Sequence, residues 1–236
     1  MTPPRAATVH FVSETVDGPN IGRSALAEFI GTAFLLAGVV GSGIMAERLT
    51  DDVALRLLAN STATVFILIA LILTFANTSG AHFNPAVTLT EVALGTMDAA
   101  RATSHIVSQV LGGIVGVIVA NIMFDLDPVN ISTTQRLGAN LVFAEGVATF
   151  GLLLTIFGIV RAGNPAMVAF AVGSYIGGAY WFTSSTSFAN PAVTIARTLS
   201  DTFAGIEPGS APQFIFAQAV ATVAAVMTIR LIWPRR

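Results

Sequence analysis

Six stretches of this chain are long and apolar enough to cross a lipid bilayer as helices: 24–46, 57–76, 102–124, 137–160, 165–182 and 211–232. Spanning the hydrocarbon takes about 20 apolar residues in helical form. Of the 236 residues 54% are apolar and only 10% are charged, whereas a soluble domain carries about 25% charged residues. A soluble core of this size would need far more polar surface to face water, so the chain reads as a polytopic membrane protein. The net charge of −2 gives no reason to expect nucleic acid as a partner. With no cysteine, disulfides, thiol catalysis and cysteine metal sites are excluded. Residues 1–23 are polar, have no signal-peptide-like apolar run, and read as a cytoplasmic N-terminal segment before one domain over 24–232.

The second half of the chain repeats the first. Glu28 and Glu145, 117 residues apart, each lie near the start of a span. Asn84-Pro85-Ala86 follows the second span and Asn190-Pro191-Ala192 follows the fifth. Gln109 lies in the third span and Gln218 in the sixth. The spacing divides the domain into a first repeat over about 24–124 and a second over about 137–232. Each repeat holds three spans, an odd number, so the second copy must be inverted. Inverted repeats bring their equivalent short segments to the midplane from opposite faces.

Each Asn-Pro-Ala motif leads into a short apolar run, 87–94 and 193–199. Ten helical residues cover about 15 Å, half the hydrocarbon thickness. Asparagine is a preferred helix N-cap, and proline suits the first helical position, where no N–H is needed. If each asparagine oxygen caps its helix, its NH₂ group is left to point into a lumen. Two positive helix ends would then face each other there. The expected fold is an all-α membrane protein with six transmembrane helices and two re-entrant half-helices in an inverted repeat. With six spans both termini share one side. Arg5, Arg23, Arg101, Arg161, Arg230, Arg235 and Arg236 fall on that side, against Arg48, Arg56, Arg136 and Arg197 on the other. That excess places the termini in the cytoplasm and the protein in the plasma (inner) membrane.

These motifs resemble the aquaporin and glycerol-facilitator family over nearly the whole chain. The resemblance rests on 27–32 (AEFIGT), 79–89 (SGAHFNPAVTL), Gln109, Glu145, Asn190-Pro191-Ala192 and Gln218. It implies a passive channel for water and small uncharged solutes, assembled as a homotetramer with lipid around it, needing no cofactor and no metal. It also implies that Asn84, Pro85, Ala86, Asn190, Pro191 and Ala192 form the pore centre. Glu28 and Glu145 would brace the loops; their equivalent repeat positions favour support over ion coupling, the other reading of a carboxylate inside a span. His82 either lines the cytoplasmic mouth or makes a loop hydrogen bond. His105 reads as a packing residue, and Gly112, Gly113, Gly116, Gly177 and Gly178 as points of close helix crossing.

One departure from the family pattern bears on solute choice. The resemblance places a four-residue filter at the outer end, usually with an arginine directly after the second motif. Here that position is Val193, and ungapped counting puts Thr64, Gly178 and Ser187 at the other three. A filter of Thr64, Gly178, Ser187 and Val193 has no ring and no charge, and would be wide. That implies glycerol-like polyols and undissociated metalloid acids such as arsenous acid, the form arsenite takes when uncharged, as solutes alongside water. Arg197, one turn beyond Val193, either stands in the outer vestibule or pairs with Asp201 at the surface. A water-selective channel and an ion-coupled secondary transporter are the competing readings. No nucleophile–base arrangement, metal-ligand cluster or phosphate loop points to an enzyme.

Overall fold

A computed structural model of the chain describes residues 20–234. Eight α-helices appear among them: α1 (Ile21–Leu49), α2 (Val53–Ser79), α3 (Pro85–Ala93), α4 (Ala99–Met123), α5 (Ala139–Arg161), α6 (Val168–Phe182), α7 (Pro191–Ala196) and α8 (Ala211–Ile232). The N-terminal segment lies mostly outside the described residues. Where it is described, residues 21–23 already belong to α1, earlier than the expected start at 24.

Helices α1, α2, α4, α5 and α8 are each long and apolar enough to span a bilayer. The fifth expected span has a different build. A 3-10 turn, Pro165–Met167, runs directly into the 15 residues of α6. Three residues at about 2 Å and fifteen at about 1.5 Å give roughly 28 Å, enough to cross. Three long helices, α1, α2 and α4, start three or four residues earlier than hydropathy suggests, and in each a side chain caps the start. Asp52 accepts the N–H groups of Ala54 and Leu55, opening α2 four residues before the first residue of the apolar stretch. Gly80, at φ 89°, ends α2 in the left-handed conformation that glycine adopts without strain.

The packing repeats with the sequence. In the first half α1 lies along α4 and α2; in the second, α5 lies along α8 and α6. Contacts between α2 and α6 join the halves, and both short helices, α3 and α7, pack against α4 and α8. The α1–α4 crossing is close because two glycines of α4 meet the backbone of α1. A Cβ on Gly112 would sit 2.3 Å from the Phe29 carbonyl oxygen, and one on Gly116 2.1 Å from that of Ala33.

Polarity is reversed relative to a soluble protein. Phe34, Phe66, Phe143, Phe216 and Leu231 are exposed, while Glu28, Gln109, Glu145 and Gln218 are fully buried. An outer surface of this kind is stable against lipid, where exposed apolar area carries no hydration cost.

A candidate permeation pathway

The two loops that precede α3 and α7 have matching backbones. Ala81 and Phe83 in the first, and Ser187 and Ala189 in the second, take positive φ values of 52°, 49°, 55° and 48°. Left-handed residues cost about 1–2 kcal/mol each for a side chain larger than glycine's, so something must hold them. Alternating conformations of this kind turn successive N–H groups toward one point and form an anion-binding nest. A buried carboxylate occupies each nest. Glu28 accepts from the N–H groups of His82 (2.9 Å) and Phe83 (2.7 Å), from the Ser79 hydroxyl (2.6 Å) and from the Gln109 amide (2.7 Å). Glu145 accepts from the N–H groups of Phe188 and Ala189 and from the Gln218 amide, each at 2.8 Å. The same glutamines donate to Thr88 and Thr194, both at 3.0 Å.

Asn84 caps α3 by accepting the Ala86 N–H, and Asn190 caps α7 by accepting those of Ala192 and Val193. Pro85 and Pro191 take the first helical positions, and Ala86 and Ala192 are buried behind them. The expectation that each amide NH₂ is wholly free for the lumen is corrected in part. Asn84 donates to the Ala189 carbonyl and Asn190 to the Phe83 carbonyl, both at 2.8 Å. One hydrogen of each amide thus ties the two loops together, leaving the other without an acceptor among the described residues.

One cavity, of about 90 Å³, passes both asparagines. One end is lined by His82 and Glu91, the other by Ser187, Val193 and Arg197. Between them the walls are apolar stripes with helical spacing. Leu68 and Ile72 come from α2 and Val168, Val172 and Ile176 from α6, facing Leu35 and Val39 of α1 and Leu152 and Ile156 of α5. The two loops add His82, Asn84, Ser187 and Asn190 to the lining, and the helices and the turn after α7 add Thr64, Glu91, Tyr180 and Arg197. Neither Glu28 nor Glu145 lines the cavity.

At the end reached by the second loop the structure departs from the ungapped count. Thr64, Ser187 and Val193 line the cavity, but Gly178 does not. Gly178 is exposed, and nothing lies within 4 Å of where its Cβ would be. Tyr180 takes its place, continuing the stripe Val172, Ile176 at four-residue spacing, with its hydroxyl 3.1 Å from the Thr64 hydroxyl. Arg197 is buried as well, lining the cavity, its guanidinium carbon 3.5 Å from the centre of the Phe188 ring. Its Nε donates to the Ala204 carbonyl. The surface pair with Asp201 is not formed; Asp201 accepts from the N–H and hydroxyl of Thr133 instead. This end therefore holds a ring and a charge, both absent from the expected set.

Two further residues fall around it. Arg136 stacks on the same Phe188 ring at 5.0 Å and donates to the Gly205 carbonyl. Burial lowers its pKa from the ordinary guanidinium value, while the Glu145 charge acts in the opposite direction. The Ser187 hydroxyl is buried with no partner among the described residues. At the other end His82 bonds Thr88 through Nδ1 (3.0 Å) and meets the edge of His105, whose ring pairs with the Ser24 hydroxyl. His105 is a packed core residue, and His82 lines the cavity while bonding within its loop.

A family model described as "Major intrinsic protein" matches residues 16–184. The chain belongs to this family of membrane channels. The matched span ends before the second Asn-Pro-Ala, so the geometry of the second loop completes what that match leaves open. The chain is 46% identical over 218 residues to the aquaglyceroporin AqpS of Rhizobium meliloti (strain 1021), covering 92% of this chain and 93% of that one. It is 33% identical over 191 residues to the aquaporin TIP1-2 of Zea mays, covering 75% and 74%. The X-ray structure of the aquaglyceroporin from Plasmodium falciparum shares the fold, with a TM-score of 0.67 at 21% identity, covering 89% of this chain and 96% of that one. The fold is that of the aquaporins, and members of the family are channels rather than enzymes.

Proposed function

We propose that the cavity is a passive pathway for small uncharged hydroxylated solutes, glycerol-like polyols and undissociated metalloid acids such as arsenous acid, together with water. The observation that carries this reading is one continuous cavity with apolar stripes on its helical walls and asparagine, serine and tyrosine polar groups along it. A solute with a carbon face and a hydroxyl face can keep its hydrogen bonds on the loop side while its apolar side slides along Val172 and Ile176. The amide hydrogens that remain on Asn84 and Asn190 donate to a solute oxygen, and the positive N-termini of α3 and α7 repel cations. The aquaglyceroporin AqpS similarity agrees with polyol passage. The reading includes a homotetramer in the plasma membrane with cytoplasmic termini; the arginine excess supports the orientation and the family resemblance supports the assembly.

Tyr180 and Arg197 narrow the end that the sequence alone implied to be wide, and this favours a second, more water-selective reading. The coupled-transporter reading loses ground because both oxygens of Glu28 and of Glu145 are occupied by loop donors away from the cavity. Stopped-flow light scattering on proteoliposomes separates the three for water, glycerol, urea and arsenite. The proposal expects flux linear in concentration for glycerol and arsenite, with Val193→Arg lowering both at least about tenfold and water much less, since a second cation would crowd the gap. Water flux alone would establish the selective reading, and saturable uptake driven by an ion gradient the transporter.

A further inference from the structure

We propose that Arg197 is the specificity-determining residue at the second-loop end of the pathway, doing from one helical turn further on what Val193 cannot do. The proposal rests on the channel reading above. Three observations meet at this side chain. It is 2% exposed, yet it lines the cavity together with Tyr180, Ser187 and Val193. Its Nε is committed to the Ala204 carbonyl and its plane lies over Phe188, so the guanidinium is held on two sides. Its terminal nitrogens have no protein acceptor among the described residues and no carboxylate pairs with it there. It therefore brings a positive charge with no ion-pair partner, and open donors, to the passage.

The local fold explains how it reaches that place. The residues of α7 end at Ala196, and Arg197–Leu199 continue as a 3-10 turn. The chain then folds back so that the Ile206 N–H meets the Arg197 carbonyl at 3.3 Å and Ala204 stands beside the guanidinium. Phe188 belongs to the loop on the other side of Asn190 and is itself fixed by Glu145. The arginine is thus braced by both flanks of the second half-helix. A small residue at 193 leaves room beside it.

Chemically, the guanidinium offers donors to a solute hydroxyl oxygen, and the unpartnered Ser187 hydroxyl can accept or donate opposite a second one. Cations meet a fixed like charge in surroundings of low dielectric, where repulsion is far stronger than in water. Arg136, on the same phenyl ring, adds to the positive field from outside the cavity. Selection at this end would then combine charge exclusion with a hydroxyl-sized polar corner, and depend on residue 197 rather than 193.

The chain has no cysteine, so one introduced at 193 can report the local field without any flux measurement. Val193→Cys in liposomes is treated with neutral, sulfonate-bearing and trimethylammonium-bearing methanethiosulfonates of similar size. With Arg197 in place, the anionic reagent should react about tenfold faster than the cationic one. Adding Arg197→Gln should remove most of that preference, and Arg197→Gln alone should raise proton leak. Equal or faster reaction with the cation in Val193→Cys would overturn the proposal, as would a thiol closed even to the neutral reagent. The first comparison keeps Arg197, so it stands even if the double variant folds poorly. It reads charge and not transport, so it can fail while the channel reading holds.

Discussion

At the scale of single residues, the two loop carboxylates carry the heaviest load. Removing Glu145 would leave the N–H groups of Phe188 and Ala189 and the Gln218 amide without their acceptor. A stranded buried donor costs about 1–3 kcal/mol, so three amount to much of a typical folding free energy. Glu145→Ala should sharply lower the yield of monodisperse protein in detergent. Glu145→Gln, which keeps one acceptor oxygen, should fall between the two, and its flux per folded molecule should show no loss of ion dependence. A fully folded glutamine variant that lost a sodium or proton requirement would instead identify a coupling site. The glutamates, asparagines and prolines were legible because repeat position and capping chemistry are local. Tyr180 was not. A helix turns by about 100° per residue, so the two-residue slip from 178 to 180 rotates a side chain from the lipid face to the cavity. Arg197 was legible as a candidate but not in its orientation, because its brace at Ala204 comes from a loop that folds back, which no periodicity announces.

The helices themselves were largely written in the hydropathy, since lipid demands long apolar segments and the chain has few other uses for them. Their ends were not, because capping by Asp52 and Asp98 starts each helix before its uninterrupted apolar run, on the far side of an arginine, Arg56 or Arg101. The fifth span was read at the right length although its first turn is 3-10 rather than α. Glycine placement has a sharper consequence for how elements pack. At Gly116 an added methyl would collide with the Ala33 backbone, whereas at Gly178 it would meet nothing within 4 Å. Gly116→Ala should therefore lower the thermal midpoint of the purified protein, by an amount corresponding to about 1–3 kcal/mol of overpacking. Gly178→Ala should leave both midpoint and glycerol flux as they are. An unchanged midpoint in Gly116→Ala would mean that α1 and α4 do not approach as closely as described.

For the molecule as a whole, the two halves are alike in fold and yet neither is finished alone. Asn84 needs the Ala189 carbonyl and the Phe83 carbonyl needs Asn190, residues more than a hundred positions away. A nascent chain that has delivered its first three spans to the membrane therefore holds an incomplete loop. That loop waits for the ribosome to supply its counterpart, so closure at the midplane is a late step of biogenesis. Ala86 is buried in the closed arrangement. A cysteine placed there should accept a water-soluble maleimide in a stalled chain ending near residue 136 and resist it in the completed one. Equal resistance in both would show that the first half closes unaided. Order of synthesis is thereby built into the joint between the halves, and the membrane is not offered an open passage until the last helices have arrived to shape it.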